Sequence, residues 1–237
     1  MHFSLCDLAA DITQNCAESG AGLVELAVWE TGEPETPESP AKREFRFFAG
    51  DNGKGMTGDD LDQNMDPFVT DGEKHPGRKV GLGLPFLIQT AEDSGGGWKI
   101  ISAVGGGEAA LRSGGEVKWA VHGNTSIALV KPGDKYSFVG DSANGTSVEA
   151  WFDLANVDTP PIGDIPGLFR SVLMFAGPEE IVIKRLRKGR GVSVDLDYVI
   201  KKTELVETLG DLEDVSSLVL LGKYLRSLEE EDDDDDD

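Results

Sequence analysis

Asp51 heads the run "DNGKGM", a D-x-G-x-G pattern directly behind the apolar segment "REFRFFAG". With Gly53 and Gly55 removing side chains beside it, that carboxylate serves either a solvated turn or a pocket wall where backbone comes close to a ligand. Asp11 and Asn15 stand four apart in "DITQN", one helical turn, so both project from the same face. Asn15 falls beside Leu8 at the edge of the apolar stripe, where a half-buried amide suits a pocket floor. Gly81-Leu82-Gly83-Leu84 opens a helical pattern, and the unpaired N–H groups at a helix start attract anions such as phosphate. Thr146, in "NGTSVEAWF", brings a hydroxyl to the start of another strand. Each has a plain alternative: a turn, a helix-surface amide, a solvated aspartate, an ordinary strand threonine.

The elements that must position these groups are legible from periodicity. Residues 4–18 read as a helix with Leu5, Leu8, Ala9, Ile12 and Cys16 on one face, and Ser4 with Asp7 resembles a capping box. "GLVELAVWE" (22–30) and "REFRFFAG" (43–50) read as partner strands around a Pro/Glu-rich loop. Residues 57–80 read as polar and irregular, then "GLGLPFLIQTAED" as a helix. "WKIISAVG", "EVKWAVHG", "TSIALVK" and "GTSVEAWFDL" read as strands between glycine-rich turns. From Gly163 the pattern changes to a helix ("IPGLFRSVLMFAG"), a hairpin about "RKGRG", and a helix in "DVSSLVLLGKYLRSLEE". The predicted division is a domain over 1–160, an α/β extension or subdomain over 161–228, and a solvated, disordered acidic tail over 229–237. The extension could equally pack on the main sheet, since no linker separates the two.

Composition narrows the classes. Net charge is −22 from 44 acidic against 22 basic side chains; the terminal "EEEDDDDDD" accounts for −9 and leaves −13 on the remainder. That balance repels a nucleic-acid backbone, and the one basic cluster, Lys184 to Arg190, fits a hairpin turn. The tail is read as solvated, with docking to a basic partner as the minority reading. No apolar run reaches the roughly 18–20 residues of a membrane span, and the N-terminus lacks the layout of a signal peptide. Cys6 and Cys16 fit two small buried residues in a reducing cytoplasm.

The order of the motifs resembles the GHKL superfamily of ATP-binding domains, which includes DNA gyrase B, the heat-shock chaperone ATPases, sensor histidine kinases and the MutL repair proteins. "DITQN" matches the N box, "DNGKGM" the G1 box, "GLGL" the G2 box and "GTS" the later threonine region, over roughly residues 4–153. "MDPFVTDGEK" looks like the stretch before the lid in histidine kinases. The resemblance implies the Bergerat fold, an α/β two-layer sandwich with a mixed, mostly antiparallel sheet and helices on one face, here with a small C-terminal α/β extension. It implies that Asp51 accepts from the adenine amine, that Gly53 and Gly55 let the base lie close, and that Gly81, Leu82, Gly83 and Leu84 meet the phosphates. Asn15 would ligate Mg²⁺, an ion that prefers oxygen, and Thr146 would support Asp51 through a hydroxyl or a water. Asp11 occupies the place of the general base, where hydrolytic members carry a glutamate. The aspartate is one methylene shorter, which sets efficient hydrolysis in question. Lys79 and Val80 replace the first residues of a fuller G-x-G-L-G-L. Lys74, Arg78 and Lys79 could approach a triphosphate, and Lys184 or Lys188 remain candidates for a lysine reaching the γ-phosphate.

His2, His75 and His122 lie in no phosphoacceptor setting, and the N box begins within the first few residues. The expectation is therefore a stand-alone member without a histidine phosphoacceptor module. Three functions follow: an Mg-ATP-binding regulatory switch or slow ATPase acting on a protein partner; a kinase acting in trans, like anti-sigma-factor serine kinases; or a non-enzymatic adaptor. The first is preferred because Asn15, Asp51, Gly53, Gly55, Gly81 and Gly83 stand together. ATP/ADP and a protein partner are the expected ligands, a homodimer is compatible, and membrane and nucleic acid are not expected.

Overall fold

The computed structural model describes residues 4–33, 42–67, 83–115, 136–189 and 195–230. Ser4 caps α1 (Leu5–Glu18) through the expected capping box: its Oγ accepts from the Asp7 N–H, and the Asp7 carboxylate accepts from the Ser4 N–H at 2.9 Å. The apolar stripe of α1, from Leu5 to Cys16, is buried as its spacing requires. Two long strands follow, β1 (Leu23–Glu33) and β2 (Lys42–Asp51), paired antiparallel.

α2 (Gly58–Met65) corrects the irregular reading of this segment. "TGDD" is a second capping box, in which Thr57 Oγ1 accepts from the Asp60 N–H while the Asp60 carboxylate accepts from the Thr57 N–H. The buried Leu61 then anchors the helix to the core. Next come α3 (Gly83–Asp93), β3 (Gly97–Ala103), β4 (Ala110–Gly115) and β5 (Gly145–Asp153). The C-terminal part supplies α4 (Ile165–Leu173), β6 (Glu180–Gly189), β7 (Leu196–Lys201), α5 (Lys202–Leu209) and α6 (Val215–Ser227). The sequence reading had left β4 and α5 unassigned. The strands expected in "EVKWAVHG" and "TSIALVK" lie outside the described residues.

The seven strands among the described residues form one sheet in the order β4-β3-β5-β2-β1-β6-β7. It is mixed and mostly antiparallel: β1 with β6 is parallel, and the other neighbouring pairs run antiparallel. The architecture is thus the expected α/β sandwich. Period-2 alternation decides which face is covered. Val24, Leu26 and Val28 of β1, Phe45, Phe47 and Ala49 of β2, Val148, Ala150 and Phe152 of β5, and Ile181 and Ile183 of β6 share one apolar cluster with α1, α3, α4 and α6. The C-terminal extension therefore continues the sheet, with ten residues of β6 alongside β1.

That continuation absorbs the basic cluster. Arg185 is buried, its guanidinium held by Glu229 at 3.0 Å and Glu30 at 3.4 Å, and the Tyr198 hydroxyl donates to the same Glu229 carboxylate at 2.5 Å. Arg187 also reaches Glu229. Glu229, which the sequence reading placed in the disordered tail, is instead a structural counter-charge that pins the end of α6 to β6 and β7.

Candidate functional site

The sheet delivers Asp51 to a closed corner. Asp51 is the last residue of β2, in register with Val24 on β1 and Thr146 on β5, and is 1 % exposed. Its Oδ1 accepts from the Gly53 N–H at 2.8 Å and from Ser19 Oγ at 3.0 Å. The Cys16 thiol and the Thr146 backbone N–H face the carboxylate as further donors and lower its pKa. Burial pushes the Asp51 carboxyl above the usual carboxylate range, and these four donors pull it back. Cys16 is raised too: burial, then the Asp51 charge, hold its thiol well above the ordinary value, so it stays protonated.

The two glycines are fixed by protein packing. A Cβ on Gly53 would lie 1.9 Å from Ser19 Oγ, and one on Gly55 would lie 1.8 Å from the Ala103 carbonyl oxygen. Gly55 also takes φ +67°, where a side chain costs energy in any surroundings. The sequence reading assigned both glycines to the approach of a ligand; the close approach found is to α1 and β3.

A polar floor continues from there. Asn144 Nδ2 donates to the Gly53 carbonyl at 2.8 Å, and the Met56 N–H donates to Ser102 Oγ at 2.8 Å. Thr146 Oγ1 meets Ser102 Oγ at 2.9 Å. Thr146 therefore supports Asp51 through its backbone, while its hydroxyl organises the loop through Ser102. The Asn52 side chain accepts from the Leu23 N–H at 2.9 Å and fixes the turn to β1.

α1 and α3 bring a second group to the same end of the sheet. Asn15 is exposed on α1, more open than its predicted half-buried setting, because it sits one step beyond the apolar stripe. Gly83, the first residue of α3, abuts it: a Cβ there would be 3.3 Å from Asn15 Nδ2. Asp11 is exposed one turn earlier on α1. Gly83 and the half-buried Leu84 begin α3; Gly81 and Leu82, with Lys74, Arg78 and Lys79, lie outside the described residues. Among the described residues no group of three or more His, Cys, Asp or Glu side chains could hold a metal ion. An ion here would be bound by the single amide of Asn15 together with the oxygens of its ligand, a hard donor set that fits Mg²⁺.

Two other candidates are displaced. Lys184 pairs in register with Ala27, on the sheet face away from α1, and its ammonium is bound to Glu25 at 2.8 Å. Lys188 pairs with Thr31, seven positions along β1 from Val24 and so about 23 Å from the Asp51 end. Conversely, Ser19, Cys16, Ser102 and Asn144 contact the site and had not been singled out for it. Ser19 follows Asn15 by four residues and could have been found as the next polar group on that face. Ser102 and Asn144 become neighbours only through β3–β5 pairing.

No family model matches the chain, and no curated protein matches it in sequence. A solved structure of the topoisomerase IV ATP-binding domain of Francisella tularensis, in complex with a small-molecule inhibitor, is similar over 81 % of this chain and 83 % of its own. Identity is 13 % and the TM-score 0.37. A likeness that faint leaves the functional reading to the residues of the site. Among the described residues, no helix is long and apolar enough to cross a membrane.

Proposed function

We propose that the chain binds Mg-ATP at the Asp51 end of the sheet and acts as a nucleotide-dependent switch on a protein partner, with slow hydrolysis at most. The observation that carries this reading is the buried Asp51 carboxylate, set among donors at a strand end beside the α1 face that presents Asn15 against the start of α3. A carboxylate can accept from the exocyclic amine of adenine. Phosphates would extend toward the start of α3, where unpaired N–H groups and the positive end of the helix favour negative charge. Asn15 would hold Mg²⁺, which supplies charge neutralisation between phosphate oxygens.

Asp11 is short for a general base, which favours sensing over rapid turnover. In a switch, the terminal phosphate would bias the order of a neighbouring segment and thereby a docking surface. The test is a thermal-shift titration with Mg-ATP and Mg-ADP. Ligand at about 100 times Kd adds roughly 2.7 kcal/mol to the folded state, or about 5–11 °C at this chain length. A magnesium-dependent rise with ATP supports the proposal; no rise with any adenine nucleotide in the folded protein overturns it. A phosphate-release assay on the same sample then separates slow ATPase from sensor.

A further inference from the structure

Ser19 stands at the C-terminal cap of α1, its N–H donating to the Cys16 carbonyl at 3.2 Å. Its hydroxyl lies between two acceptors, 2.8 Å from the Cys16 carbonyl oxygen and 3.0 Å from Asp51 Oδ1. A hydroxyl has one proton, so it serves one of them at a time. If the proton points at Asp51, it stabilises the ionised carboxylate. If it points at the carbonyl, a lone pair faces Asp51, and only a protonated carboxyl is compatible.

We infer that Ser19 is a positioning residue that keeps Asp51 ionised and oriented to accept from an adenine amine. The inference rests on the nucleotide reading above. Of the four donors to Asp51, Gly53 and Thr146 act through backbone N–H groups that nearly any residue would supply, and the Cys16 thiol donates weakly. Ser19 is the one strong donor that depends on a side chain. Gly53 is matched to it, since any side chain at residue 53 would occupy the place of the Ser19 hydroxyl. Among the described residues, the groups facing Asp51 are Cys16 and Ser19 from α1, Gly53 from the loop, Val24 in register on β1 and Thr146 on β5, and of these Cys16 is titratable.

The experiment uses the full chain without nucleotide. The Asp51 carboxyl carbon is followed by NMR through an acid titration in wild type, Ser19→Ala and Ser19→Thr, and affinity for Mg-ADP is measured across the same pH range. Losing a hydrogen bond to the charged form raises the titration midpoint by roughly one pH unit. The acid limb of the binding profile then moves up by the same amount. Below that limb Ser19→Ala binds about tenfold more weakly, well above it affinity matches wild type, and Ser19→Thr restores both. An unmoved midpoint, or an affinity lost equally at every pH, overturns the inference and leaves Ser19 a helix cap. Should Ser19→Ala not fold, Ser19→Cys, a weaker donor, must give an intermediate midpoint. If wild type binds no nucleotide at any pH, the nucleotide reading fails, while the titration still decides whether Ser19 controls the Asp51 charge.

Discussion

Gly55→Ala separates two reasons for a glycine that sequence alone confounds. Gly55 has φ +67° and a Cβ site 1.8 Å from the Ala103 carbonyl oxygen; Gly105 has φ +59° and nothing within 4 Å of its Cβ site. Alanine pays the left-handed backbone cost of roughly 1–2 kcal/mol at both positions. Only at Gly55 must β3 also shift to relieve an overlap with backbone, and forced repacking of that kind adds roughly 1–3 kcal/mol. The expected destabilisation is therefore about 1–2 kcal/mol for Gly105→Ala and about 2–5 kcal/mol for Gly55→Ala. At this size each kcal/mol lowers Tm by roughly 2–4 °C. Urea unfolding without nucleotide, with Tm as a second reading, measures both. Equal costs at the two glycines would show that backbone conformation alone selects Gly55 and that the packing argument is wrong.

Further outcomes follow from the same contacts. Glu229→Ala strips the nearer of two counter-charges from the buried Arg185, leaving Glu30 at 3.4 Å, and should cost about 3 kcal/mol in urea unfolding, the low end for a broken buried pair. Tyr198→Phe, which removes one hydrogen bond to that carboxylate, should cost about 1.5–3 kcal/mol. Asp51 has a raised folded-state pKa, so its contribution to stability is full below the ordinary carboxylate range and lost as pH rises through the raised value. Without ligand, the stability of Asp51→Asn relative to wild type should therefore increase with pH across that window and then level off. A flat or falling difference in paired pH–unfolding series would contradict it. Cys6 is buried with its thiol pushed up to about 12, and Cys16 is buried against Asp51, so both should resist iodoacetamide in native buffer and react after unfolding, as mass spectrometry reads directly.

Most of the frame was legible because its signals are local. Ser4 and Asp7 announce α1, "REFRFFAG" reads as the strand that β2 is, and the apolar spacing in "DVSSLVLLGKYLRSLEE" gives α6. "TGDD" carries the same capping signal as "SLCD", but the helix behind it has only Leu61 and Met65 as apolar residues, too short a stripe to stand out as a period. β4, "ALRSGG", has little strand character of its own and is set by its pairing with β3. At the site, Asp51 was visible from its glycines, but the reason for those glycines was not. Ser19 and Ala103, which crowd them, lie 34 and 48 residues away in sequence from the glycine each one meets. The role of Lys184 was settled by strand parity, which turns it away from α1 once β6 is known to pair with β1.

The central claim is that Asp51 receives an adenine nucleotide. Isothermal calorimetry with Mg-ATP on wild type and Asp51→Asn, at a pH above the Asp51 titration, tests it most directly. The account predicts one site per chain in wild type and binding lost or at least tenfold weaker in a folded Asp51→Asn. Equal affinity in the two folded proteins, or heat from neither, would contradict it.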